Sequence, residues 1–305
     1  MRNTFAKTFF NEAKSDERLS IVVADISPAG AMSEFRKEFP NRFINTGVAE
    51  QIMIGMVAGM AMQGLKPFAY TIATFSLYRP FEFIRDDLCY QNLPVTIVGI
   101  GGGVTYSSLG STHHAQEDIA IARAVPNLSV IAPCDPFETE KATQFCVKQE
   151  NGPIYLRLGK AGEPILLENM SDPFVFGKIR YLKRGSDICV VGYGPILQVG
   201  LKIAELFQER GKNISIVSNH TLKPMDEEGL VEMLASHNQI IIIEEMSPIG
   251  GLSDYLKVVA WKNNLKCDII NFSLKDKFIH SYSSHDDLLE LHGLSLNYIN
   301  SKLDI

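Results

Sequence analysis

Short runs of β-branched and aromatic residues alternate along the chain with longer stretches whose apolar positions recur every three to four residues. In the first half, SIVVAD, RFIN, PFAYTI, VTIVGI, LSVIAP and IYLRL predict strands over 20–25, 42–45, 67–72, 95–100, 128–133 and 154–158. Helical patterns fall between them at 49–64, 77–91, 117–125 and 137–150. In the second half, strands are predicted at 187–194, 214–219, 239–245 and 267–273, with helices at 196–211, 226–236 and 251–264. Such strict alternation is the signature of βαβ units and a mostly parallel sheet. Residues 159–174, GKAGEPILLENMSDPF, break the rhythm with two glycines, two prolines and no period. The expected fold is therefore α/β, with two domains at 1–165 and 175–305 joined by a linker at 166–174, each a mostly parallel sheet flanked by helices.

Composition narrows the class. A chain of 305 residues that is 46% hydrophobic and 21% charged can build proper cores. The net charge of −6 is mild and no polybasic run is present, which argues against nucleic acid and anionic membranes as partners. No apolar run approaches the roughly 18 residues a bilayer span requires. The first twenty residues lack the apolar centre and cleavage site of a signal peptide. The cysteines (Cys89, Cys134, Cys146, Cys189 and Cys267) are scattered and odd in number, neither a disulfide framework nor a zinc spacing. A cytoplasmic location is expected.

Several residues invite a chemical reading beside a plainer one. Glu50 heads the uncharged stretch Ile52 to Met62. An acid in a first helical turn is ordinarily there for the helix dipole. Glu50, however, follows the predicted strand RFIN, and ligands of α/β sheets bind at carboxyl ends of strands. The aromatics of YTIATFSLYRPFE read first as core. IGGGVTYSSLGSTHHAQED, with three successive glycines, is neither G-x-G-x-x-G nor a Walker A loop. It reads better as a flexible loop carrying His113 and His114, whose adjacency does not suit joint metal binding. Arg157 ends the strand IYLRL and on its own reads as an ion-pair residue.

Taken together, RFINTGVAEQIMIGMVAGMAMQGLKPF, GSTHHAQEDIAIARAVPNLSVIAPCDPFE, IYLRLGK, LKPMD and EEMSPIGGL resemble transketolases and related enzymes that use thiamine diphosphate. The resemblance runs in order over nearly the whole chain. It implies that Glu50 hydrogen-bonds the cofactor's aminopyrimidine and favours the tautomer that takes the proton from the thiazolium carbon, generating the carbanion. It implies that Phe75, with Tyr78 one turn beyond, binds that ring. His113 and His114 would serve at the active-site mouth in proton transfer, His113 also touching substrate, and Arg157 would contact a substrate anion.

The departures from the family pattern are informative. Leu109 stands where sugar-phosphate transketolases commonly carry an Asp, and Gly101 falls near a place where several members have a His. The G-D-G sequence that, with a later Asn, holds Mg²⁺ and the diphosphate in the family is absent. The chain thus looks like the C-terminal half of a transketolase encoded in two pieces. The expected partner is an N-terminal subunit carrying the Mg²⁺ and diphosphate site, assembled with self-association into a heterotetramer that acts on a sugar or sugar phosphate. The rival readings are the beta subunit of a 2-oxo acid dehydrogenase first component, a deoxyxylulose-phosphate synthase-like enzyme, and a non-catalytic assembly subunit. The loop THHAQEDIAIARAVPNL favours the transketolase, and the joint presence of Glu50, Phe75 and His113 speaks against a mere scaffold.

Overall fold

The protein is described from a computed structural model covering residues 1–25, 32–166 and 172–303. The first sheet has seven strands in the order β10-β5-β6-β4-β3-β1-β2. Its members are β1 (Leu19–Val23), β2 (Phe43–Asn45), β3 (Lys66–Ile72), β4 (Thr96–Ile100), β5 (Ser129–Ile131), β6 (Ile154–Leu158) and β10 (Thr221–Lys223). The second sheet has five strands, β12-β11-β8-β9-β7, formed by β7 (Arg180–Lys183), β8 (Ile188–Gly192), β9 (Ile214–Ser218), β11 (Gln239–Glu244) and β12 (Asp268–Ser273). All pairings are parallel except β10 with β5 and β7 with β9, each at a sheet edge.

The strands predicted from sequence are present, and the reason they could be read is their burial. β1, β4, β6, β8 and β9 are buried along their entire length, because helices cover both faces. Alternate residues serve different cores: Val22 and Ile97 face one cluster, whereas Ile21, Val23, Val98 and Ile100 face another. The cluster containing Val22 and Ile97 continues without a break into Val191, Ile240, Ile242 and Leu252 of the second sheet and its helix. The two domains therefore share an apolar seam and not merely a polar contact.

Three helices matter for the site. Helix α3 (Glu50–Met62) follows β2, and α4 (Ala73–Leu77) follows β3. The helix expected over 77–91 is not continuous. Pro80 lacks the N–H that would continue α4, and the chain restarts as a short turn at Phe81–Phe83 that widens into a π-type turn over Ile84–Tyr90. Helix α6 (Asp118–Ala124) follows the glycine loop. In the second domain, α11 (His285–His292) begins with a full capping box formed by Ser284 and Asp287. All five cysteines are unpaired thiols. Of the expected linker 166–174, residues 167–171 lie outside the described residues. No helix among the described residues is long and apolar enough to cross a membrane.

Candidate active site

The sheet order places β2 on one side of β1 and β3 on the other, so the chain reverses its winding at β1. A crevice opens at the carboxyl ends of strands at such a point. Glu50 enters it just after β2, Phe75 just after β3, and His113 from the loop after β4. Glu50 is 2% exposed, yet its Oε2 accepts a 2.7 Å hydrogen bond from Arg79 Nη1. The Arg79 guanidinium lies 4.6 Å above the Phe75 ring centre. The Phe75 ring in turn meets the His113 ring edge-on, centres 5.1 Å apart at 77°. Acid, guanidinium, aromatic ring and imidazole thus follow one another along the crevice.

Tyr78 is directed to the start of α6. Its hydroxyl donates to Glu117 Oε2 at 2.8 Å and accepts from the Glu117 backbone N–H at 3.1 Å. Burial, and then the nearby Asp118 carboxylate, raise the phenol well above its ordinary pKa, so it stays a neutral donor. His113 is half-buried, and burial holds its imidazole below the usual range. It is neutral and able to take a proton. Its Nδ1 lies 3.0 Å from Thr112 Oγ1.

Two expected site residues sit elsewhere than anticipated. His114, expected beside His113 at the mouth, is only 2% exposed. Successive side chains point apart, and His114 turns toward the second domain, where burial lowers its pKa against the opposing pull of Glu245. Arg157, expected to meet a substrate anion, is also buried. Its Nε donates to Asp118 Oδ2 at 2.8 Å, and its Nη2 to the backbone oxygens of Glu245 at 2.9 Å and Ala115 at 3.3 Å. Tyr155 donates to the same Asp118 oxygen at 2.8 Å. Burial alone would lower the guanidinium pKa, but Asp118 together with Tyr193, Tyr155 and Glu245 raises it. Arg157 is a clasp between domains.

The same clasp explains two of the three glycines. A Cβ on Gly102 would lie 2.2 Å from Arg157 Nε, and one on Gly103, where φ is +64°, 2.4 Å from Glu245 Oε1. The glycines let the loop backbone pass against these buried charges. Glu245 accepts from Val104 N–H at 2.8 Å and pairs with His285 Nε2 at 2.9 Å. Sequence reading missed Arg79, Asp118, Glu245 and His285. Only Arg79 had a local signal, its position four residues after Phe75.

His292, beside this cluster, gives a pH test. Its Nδ1 accepts from Lys275 N–H at 3.0 Å, and burial first, then His114 and Lys275, push its pKa down to about 4. An unfolded imidazole charges below about pH 6.5, so between these values the unfolded chain binds the extra proton. Stability is lost as pH falls through that window, by up to about 1.4 kcal/mol per pH unit. His285 has the opposite sign. Burial would lower its pKa, but Glu245 outweighs that and raises it, so its contribution is present at low pH and lost as pH rises. Replacing His292→Asn keeps an acceptor for Lys275. On going from about pH 7 to about pH 5, the variant should lose less stability, or gain more, than the wild type in thermal melts; an equal signed change would exclude His292 as the cause.

The fold is that of a two-domain α/β protein with a crevice lined by an acid, a guanidinium and an aromatic ring. Residues 1–162 match the family described as transketolase, pyrimidine binding domain, and residues 177–299 match transketolase, C-terminal domain. The chain belongs to the transketolase family, of which it comprises these two domains. It is 36% identical over 295 residues to a putative transketolase C-terminal section of Methanocaldococcus jannaschii, covering 96% of this chain and 92% of that protein. It is 31% identical to an apulose-4-phosphate transketolase subunit of Phocaeicola vulgatus, covering 93% and 90%. A solved structure described as a split gene transketolase, inactive beta4 tetramer, superposes with a TM-score of 0.89 at 32% identity, covering 99% of this chain and 96% of that one. Similarity extends to the 1-deoxy-D-xylulose-5-phosphate synthase of Bacillus mycoides, 31% identical, where 98% of this chain matches 47% of that protein.

Proposed function

We propose that the chain is the C-terminal subunit of a two-chain transketolase-like enzyme, a transferase that moves a two-carbon ketol unit between sugars with thiamine diphosphate. The domains divide at 1–165 and 175–305, with 166–174 between them. The observation that carries the reading is the pairing of a buried acid, Glu50, with the face of Phe75, the gap between them taken by a flat hydrogen-bond donor. An aminopyrimidine makes the same demands of its site, so the residues present fit that end of the cofactor. When bound, the cofactor supplies the carbon nucleophile and the electron sink.

This chain's own part is to hold and orient. Glu50 exchanges a proton with the ring nitrogen from a place water cannot reach. Phe75 fixes the ring plane, and Tyr78 ties the turn after α4 to α6. His113, at the outer end of the row, handles the substrate proton and contacts its hydroxyl. His114 and Arg157 keep the loop and the second domain in register. Leu109, 46% exposed and in the same loop, presents an apolar surface where an acid would grip a sugar hydroxyl. Among the described residues no three His, Cys, Asp or Glu side chains are grouped to hold a metal. In the proposal, Mg²⁺ and the diphosphate fall to a separately encoded N-terminal subunit, within a cytoplasmic heterotetramer. Self-association is supported by α3, whose outer face exposes Ile52 and Met62 to 61% each. A contact between copies requires such a self-complementary apolar face.

The test is calorimetry and sedimentation, with and without a second chain that carries G-D-G and the downstream Asn. The isolated chain should self-associate and show no Mg²⁺-dependent uptake of thiamine diphosphate. The pair should bind it and transfer ketol units. Micromolar, Mg²⁺-dependent binding by the isolated chain would overturn the two-chain reading.

A further inference from the structure

One group in the crevice has no part in the chemistry proposed above. Arg79 lies past the last residue of α4, directly before Pro80, and its side chain is 38% exposed. Its guanidinium nevertheless turns inward, donating to Glu50 Oε2 at 2.7 Å while lying over the Phe75 ring at 4.6 Å. It therefore fills the space bounded by the two residues that the cofactor reading assigns to the pyrimidine.

The fit is chemical as well as spatial. A guanidinium is flat, carries N–H donors in its own plane, stacks on aromatic faces and is always charged. A ring-protonated aminopyrimidine is also flat, donates in its plane and stacks. We propose that Arg79 is an internal stand-in for the pyrimidine, seated on Glu50 and Phe75 until the heterocycle displaces it. The inference rests on the cofactor reading and adds to it a residue that sets when the cofactor can enter.

The mobility of the two partners is unequal, and this gives the exchange its direction. The Glu50 side chain is 3% exposed and cannot leave, and without a partner it would be a buried, uncompensated carboxylate. Arg79 reaches solvent by rotating its own side chain. Its departure costs the ion pair and the stacking contact, and the incoming ring restores both. The pyrimidine end alone thus gains little by binding. Net affinity comes from the diphosphate end, which in the two-chain reading belongs to the partner. Arg79 makes cofactor loading conditional on assembly, and the unassembled chain keeps its acid neutralised.

The experiment uses the chain by itself and the pyrimidine part alone, 4-amino-5-hydroxymethyl-2-methylpyrimidine, so neither Mg²⁺ nor a partner is needed. Binding is measured by calorimetry for the wild type, Arg79→Ala and Arg79→Gln, with circular dichroism as the check on folding. If the pair is populated nine parts in ten, removing it tightens binding by about tenfold. Arg79→Ala and Arg79→Gln should both show that gain. Methylguanidinium should compete with the probe in Arg79→Ala far more than in the wild type, because it refills the vacated place. Equal or weaker binding by both variants overturns the stand-in and leaves the cofactor reading standing. Absence of binding by all three proteins at saturating probe overturns the stand-in, since vacating the place then gains nothing, and the cofactor reading is decided by the assembled pair.

Discussion

Glu50→Gln is expected to leave the protein folded and to slow exchange of the thiazolium proton in the assembled enzyme by roughly 10²–10⁴. The glutamine has the same shape and can still accept from Arg79 Nη1 or bond a ring nitrogen. It has no proton to exchange and no charge with which to stabilise a protonated ring. Because Glu50 sits at the start of α3 at the edge of a crevice, an isosteric change disturbs little packing. Circular dichroism and partner binding should be normal, and proton exchange followed by NMR should carry the whole effect. Fast exchange in the variant would reduce Glu50 to an acid placed for the helix dipole, whose worth is roughly 0.3–1 kcal/mol.

The second large effect is expected in stability. Arg157→Met should destabilise the chain by roughly 3–5 kcal/mol, the usual cost of leaving one member of a buried pair behind. Asp118 is wholly buried, and its Oδ1 already lacks a partner. With the guanidinium gone, Oδ2 keeps only the Tyr155 hydroxyl and the Glu245 carbonyl loses the Arg157 donor, while the Ala115 carbonyl keeps the Gly103 N–H. Adding Asp118→Asn to Arg157→Met should recover part of the loss, since no charge is then stranded. Thermal or denaturant unfolding of the three variants decides the matter. A substrate-binding Arg157 would instead leave the melt unchanged and raise KM alone.

The parts of this molecule that were legible beforehand share a physical cause. A parallel strand covered on both faces has no solvent side, so VTIVGI and QIIIIEE read as apolar runs whatever their neighbours are. Glu50 could be suspected because it follows a strand at its carboxyl end, and Phe75 and His113 through the resemblance to transketolases. The edge strands β7 and β10 gave no such signal. They are short, antiparallel, and paired with residues far away: Thr221 with Ile131, and Arg180 with Ser218. That β10, from the second half of the chain, completes the first sheet is a long-range fact with no local trace. The helix expected over 77–91 failed for a local reason, since Pro80 should have ended it.

What the sequence determined by itself is the α/β class and the resemblance to transketolases, because these depend on burial period and on motifs contiguous in the chain. What only the tertiary structure decided is where neighbouring or distant side chains turn. His113 and His114 are adjacent in sequence, yet one meets Phe75 and the other is buried toward Glu245 and His285. Arg157, expected to contact a substrate anion, is held by Asp118 and by the backbone of the second domain, which no local pattern announces. Arg79 had only its spacing from Phe75 to mark it, and the fold alone sets its guanidinium between Glu50 and Phe75. A charge acquires its role from what it is buried against, and burial is a property of the folded chain.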